Sequence, residues 1–279
     1  MKLKPGWLRA VLGYGGLIFF ALVFAVPLLY MIVTSLTPNE TELLRNMAGI
    51  RAFFPSEVGL DNYRDVMARM PFGRYLLNSV IIVGTTVAAG LLVNSAAAFA
   101  LARFRWRYGP ALTAIVVALM VVPFEAVAVP LLLLANRLGW LNSYQVQIVP
   151  FVANPFFIYL FYQFFLKFPR DLEEAAFLDG AGWFRIYWQI ALPLSGPIIS
   201  SVAILQFLWQ WGAFLWPLMV TRGPEYRPLT VGMQVFFGQH PRHWGDIMAF
   251  ATMMTVPVLI LFAVLQRRFV ASVAESGMK

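Results

Sequence analysis

Glu125 is the only ionisable residue set well inside a long apolar run, in VVPFEAVAVPLLLL at 121–134. A carboxylate buried in lipid is costly, so such a residue points either to a transport path or a subunit contact, or to a place near the membrane edge reached by water after a kink at Pro123. A second group of charges, Asp171, Glu173, Glu174 and Asp179, falls between apolar runs and faces only Arg170 and Arg185 nearby. His240, His243 and Asp246 recur every third residue, a spacing that can hold a metal, but Pro241 interrupts them and no further ligand cluster exists, so no metal site is expected. Absences narrow the chemistry. With no cysteine there is no disulfide, thiolate ligand or cysteine nucleophile. None of Lys2, Lys4, Lys167 and Lys279 follows a glycine, so the phosphate-cradling GxxxxGK[ST] loop is missing.

The elements that must position these residues are membrane spans. Of 279 residues 60% are hydrophobic and 12% charged, with a mean hydropathy of +0.72. A soluble domain carries about 25% charged residues, so the composition indicates an integral membrane protein. Six runs reach the ~20 apolar residues that cross a bilayer: 11–36, 75–102, 111–134, 145–166, 194–220 and 247–265. The first follows Lys2, Lys4 and Arg9 but is longer than a cleavable h-region, and it reads as a retained helix. The net charge of +8 comes from short patches flanking these runs, as a membrane protein distributes them, and does not indicate nucleic-acid binding. The dense cluster Arg103, Arg105, Arg107 places its loop in the cytoplasm, and with six spans both termini join it there. The second span has small residues four apart, Gly84 with Ala88 and Ala96 with Ala100, a spacing for close helix packing.

The cytoplasmic loop at 167–193 reads KFPRDLEEAAFLDGAGWFRIYWQIALP. Acid loads the first turn of a short helix after Pro169, as the helix dipole favours. Gly180, Ala181 and Gly182 end that helix. Trp183, Ile186, Tyr187 and Ile190 then form one apolar face at helical spacing, and Pro193 marks the return to the membrane. Small Ala175 and Ala176 beside the acids suit either close approach by another surface or a solvated connector.

This loop resembles the EAA signature of importer-type ABC transporter permeases, EAA-x3-G-x9-I-x-L-P, at Glu174, Ala175, Ala176, Gly180, Ile190, Leu192 and Pro193, without departure in residue or spacing. The stretches at 121–134, 139–150 (GWLNSYQVQIVP) and 209–220 (WQWGAFLWPLMV) and the tail QRRFVASVAESGMK are similar to the carbohydrate-uptake group, in the half that includes the maltose and glycerol-3-phosphate permeases. One departure is Gly212, where many relatives carry asparagine. The resemblance implies an all-α membrane protein of type I importer (MetI-like) architecture. It would be a single permease domain over 1–279, with a coupling loop at 167–193 and a cytoplasmic tail at 267–279. In that family the loop docks on an ATPase, which puts Glu174, Ala175, Ala176, Asp179, Gly180 and Ala181 at the contact. Ile190, Leu192 and Pro193 would set how the loop re-enters the membrane. The implied partners are a second permease, two ABC ATPase subunits and an extracytoplasmic solute-binding protein, in a bacterial or archaeal cytoplasmic membrane. ATP and magnesium would bind the ATPases. This chain would hold no cofactor and catalyse no bond chemistry.

For the solute path the sequence offers Glu125 and the fifth span. Gln206 and Gln210 lie four apart on one face, and Ala213 and Pro217 continue it. The face carries no lysine or arginine, which favours a neutral sugar over glycerol phosphate. Phe207, Trp209, Trp211, Phe214 and Trp216 could stack on sugar rings or sit at a membrane interface. A secondary transporter driven by an ion gradient would need coupling residues within the spans and often an internal repeat. The sequence has one carboxylate there and no clear repeat.

Overall fold

The computed structural model describes residues 5–104, 106–238 and 240–277, with side chains from residue 12 to 264. Lys2, Lys4, Arg105, the tail's side chains and its last two residues lie outside that description. Every regular element among the described residues is helical. Contacts divide the chain into two units, one formed by residues up to 72 with 233–257, the other by 73–232 with the remainder.

The first unit opens with α1 (Pro5–Ser35), followed by α2 (Glu40–Asn46), a 3-10 turn (Ile50–Phe53) and α3 (Asp61–Arg69). Asn39 caps α2 by accepting from the Glu42 N–H at 3.1 Å. Buried Asn62 of α3 donates to the Ser35 and Thr37 carbonyls at 3.0 and 2.9 Å, satisfying the free end of α1.

The second unit is organised around α4 (Phe72–Arg103), 32 residues without proline. After it come α5 (Gly109–Leu119), α6 (Phe124–Arg137), α7 (Tyr144–Val152), α8 (Pro155–Leu166), α9 (Arg170–Leu178) and α10 (Trp183–Ile186). A π-helical turn (Tyr187–Ala191) leads into α11 (Leu192–Leu194), α12 (Gly196–Trp211), α13 (Leu215–Val220) and α14 (Leu229–Gly232). The aromatic face of α8, Phe157, Phe161 and Phe165, is fully buried at four-residue steps and packs with Phe99, Ile186 and Val202. α15 (Gln234–Phe237) belongs to the first unit, and α16 (Trp244–Gly277) begins there. Glu40 caps α16, its carboxylate accepting from the Trp244 and Gly245 N–H groups at 2.9 and 3.2 Å. Asp246, considered above as a metal ligand, is instead buried and paired with Arg69 at 2.7 Å.

Among the described residues four helices are long and apolar enough to cross a membrane, or six if each of two bent pairs counts as one span. The bends correct two of the expected spans. The run at 111–134 turns by 100° between α5 and α6. Pro123 sits in extended conformation at the break and, having no N–H, cannot carry the helix through. The run at 194–220 breaks after Trp211, and a bend of 77° around Ser195 separates Gly196–Trp211 from Trp183–Leu194. Gly196-Pro197 starts its second half, with proline tolerated in a first turn.

Candidate functional site

The loop helix α9 ends in a complete glycine cap. Gly180 has φ +79°, the left-handed conformation. Its N–H donates to the Phe177 carbonyl at 3.0 Å, and the Ala181 N–H reaches back to Ala176 at 2.9 Å. These are the paired bonds of a Schellman motif, and Ala176 and Ala181 make its apolar contact within the buried core. The spacing from the alanine pair to the glycine is therefore the spacing that closes a helix.

The motif's residues divide between two faces of α9. Asp171, Glu174, Ala175 and Leu178 follow helical spacing and are exposed, Leu178 by 90%. Asp179 and Gly180 are exposed beside them, while Glu173 and Ala176 face inward. Glu173 meets Arg103, the last residue of α4, with Nε 2.7 Å from Oε1 and side chains only 4% and 7% exposed. Arg103 also donates from Nη2 to the Phe168 carbonyl at 2.5 Å and lies over the Phe168 ring. Arg103 is thus buried at the end of α4. Burial pushes the Glu173 carboxyl up from its ordinary value, while Arg103 and Arg170 pull it down. Downstream, Ile190 and Leu192 pack against the same core and Pro193 is exposed. Pro193, with no N–H to give the preceding turn, follows the π-helical turn at 187–191.

A cavity of about 530 Å³ opens where three helix breaks meet. One is the α5–α6 bend, with Glu125 in the first turn of α6. The second lies between α7 and α8, where the Asn154 side chain accepts from the Phe156 and Phe157 N–H groups at 2.9 and 3.4 Å and Pro155 takes the first helical position. The third is at 212–214, between α12 and α13. Glu125, Asn154, Gln210 and Ala213 supply polar atoms or room, and Trp209, 61% exposed, supplies an aromatic wall. Glu125 is exposed, with no hydrogen-bond or ion-pair partner among the described residues. The lining contains no lysine or arginine. Such a wall offers acceptors, an amide and a flat apolar surface, which suits a hydroxylated neutral molecule.

Three of the four expected path residues, Glu125, Gln210 and Ala213, come together here; Gln206 does not. It is 3% exposed and donates to the Thr86 carbonyl of α4 at 3.2 Å, so it seals the inside of this chain rather than facing a partner. The proposed face through Ala213 and Pro217 also fails, because α12 stops at Trp211 and the four-residue period ends with it. Gln210 bends toward the Gln147 carbonyl, a long bond of 3.4 Å. Sequence reading overlooked Asn94, Asn154 and the pairing of Arg103 with Glu173. Available signals were an asparagine inside an apolar run, the Asn-Pro dipeptide, and an acidic loop beside an arginine cluster.

Residues 86–275, which span both the loop and the cavity, match the family described as binding-protein-dependent transport system inner membrane component. The chain is 34% identical over 275 residues to the arabinooligosaccharides transport system permease protein AraQ of Halalkalibacterium halodurans, covering 98% of this chain and 96% of that one. It is 29% identical to the trehalose/maltose transport system permease protein MalG of Thermococcus litoralis, covering 98% of each. The fold is similar to a chain in the crystal structure of a bacterial ABC transporter involved in import of the acidic polysaccharide alginate, with a TM-score of 0.82 at 21% identity, covering 96% of this chain and 99% of that one. The chain therefore belongs to the family of inner membrane components of binding-protein-dependent transport systems.

Proposed function

We propose that this chain is the permease subunit through which an ABC importer takes up a neutral sugar or oligosaccharide. The observation that carries the reading is the cavity at three helix breaks, with its unpaired carboxylate, amide groups and exposed tryptophan and no basic residue in its lining. Discontinuous helices are where transporters expose backbone groups to a solute. The names of similar proteins, covering arabinooligosaccharides, trehalose and maltose, support a sugar. An anionic solute such as glycerol phosphate would meet Glu125 and no compensating cation.

In this reading the exposed face of α9, Asp171, Glu174, Ala175 and Leu178, docks on an ATPase subunit, with Asp179, Gly180 and Ala181 shaping its end. Ile190, Leu192 and Pro193 set the re-entry. A second permease completes the channel, a second ATPase serves it, and an extracytoplasmic binding protein delivers the solute. ATP and magnesium act in the ATPases, and both termini lie on the ATPase side. Uptake assays on the complex reconstituted with its cognate subunits test the proposal. ATP-dependent uptake of a neutral oligosaccharide is expected, with Glu125→Gln and Gln210→Leu each weakening apparent affinity. Preferred uptake of a phosphorylated solute, or wild-type kinetics in both variants, overturns it.

A further inference from the structure

α4 touches both parts of the proposed machine. At its end, Arg103 holds α9 and the residue that leads into it through three contacts: the Glu173 ion pair at 2.7 Å, the Phe168 carbonyl at 2.5 Å and the Phe168 ring. Nine residues earlier, Asn94 is fully buried and grips the α7–α8 break with both ends of its amide. Its Nδ2 donates to the Val152 carbonyl at 3.0 Å, and its Oδ1 accepts from the Asn154 N–H at 2.8 Å. That break forms one wall of the cavity, at Ala153 and Asn154. Along a helix nine residues span about 14 Å. Between the two attachments α4 has no proline and no break, and Ser95 adds a hydrogen bond of 2.8 Å to the Tyr187 hydroxyl in the re-entry segment.

We propose that α4 is the rigid link by which movement of α9 reaches the cavity wall, with Glu173–Arg103 fastening one end and Asn94 the other. The proposal rests on the importer reading and deepens it. A displacement of α9 alone would separate a buried carboxylate from a buried guanidinium, which is strongly unfavourable because neither has solvent to turn to. Carrying α4 along avoids that cost. A displacement of α4 likewise draws the Val152–Asn154 segment with it, since the bonds of Asn94 satisfy backbone groups freed by the break. Glu173, Arg103 and Asn94 are positioning residues in this scheme.

The assembled complex in liposomes gives the required readout: solute taken up per ATP hydrolysed. Glu173→Gln and Asn94→Leu are each expected to lower that ratio roughly fivefold or more while the complex still assembles. Acting in series, the two changes together are expected to do no worse than the more severe one. Arg103→Lys, which keeps the charge, is expected to retain more of the ratio than Glu173→Gln. The proposal is overturned by an unchanged ratio in both single variants or by defects that multiply in the double variant. It is equally overturned if Glu173→Gln and Asn94→Leu fail to assemble while Arg103→Lys is normal, which would assign these contacts to folding. The importer reading is judged separately, by whether the unaltered complex takes up solute at the expense of ATP.

Discussion

Arg103 Nε lies 2.7 Å from Glu173 Oε1, and both side chains are almost wholly removed from solvent. Deleting one partner of such a pair strands the other, at a cost of about 3–5 kcal/mol, whereas replacing both with apolar groups can be nearly neutral. Arg103→Leu is therefore expected to lower thermal stability in detergent far more than Arg103→Leu with Glu173→Leu. Equal loss in the single and double variants would show that the pair carries little electrostatic weight.

The same carboxylate makes coupling sensitive to pH. Burial raises its pKa, against the pull of Arg103 from α4 and Arg170 from α9 and with a smaller push from Glu174. A raised value means that the folded chain binds the proton more readily than the unfolded one. The stability from this group is complete below the ordinary glutamate value and is lost as pH rises through the raised one. Protonation of Glu173 thus costs no stability through this group while it removes the carboxylate's charge from the pair. Uptake per ATP is expected to fall toward mild acid in the wild type and to respond less in Glu173→Gln, with no matching loss of stability attributable to Glu173. A parallel pH response in both proteins would exclude the pair as its source.

Gly180 closes α9 with φ +79°. A β-carbon built there meets nothing within 4 Å, so the constraint is the backbone conformation and not a collision. A left-handed residue other than glycine costs roughly 1–2 kcal/mol, and asparagine tolerates it better than most. Gly180→Val is expected to express and insert but to lose ATP-dependent uptake, and Gly180→Asn to keep much of it. Normal uptake by the valine variant at normal expression would separate this turn from coupling.

Gly90 and Gln206 are interlocked. A β-carbon on Gly90 would collide with the amide end of Gln206, which would have to turn aside in a buried site and give up its bond to the Thr86 carbonyl. Alanine favours a helix over glycine by up to about 1 kcal/mol, but overpacking of this kind costs about 1–3 kcal/mol. Gly90→Ala is expected to destabilise the wild type and to stabilise a chain that already carries Gln206→Ala. Thermal unfolding of the four proteins checks the reversal of sign.

Much of this protein is legible in one dimension. Long apolar runs mark the membrane helices because lipid leaves the backbone no other partner than itself. The EAA-x3-G spacing reads through because a Schellman cap is a local structure, closed by bonds between Ala176, Phe177, Gly180 and Ala181. Pro123 and Pro155 stand at breaks while Pro130 and Pro150 continue their helices, so neither the place of a break nor a bend of 100° is read from proline alone. What the tertiary structure alone decided is which side of a helix meets what. Glu173 and Glu174 are neighbours of identical chemistry, yet one is buried against Arg103 and the other faces out. Gln206 and Gln210 share a period, yet α4 claims the first and the cavity the second. Those assignments depend on helices brought together from positions 63 to 120 residues away, by packing that carries no signature in the local spacing of residues.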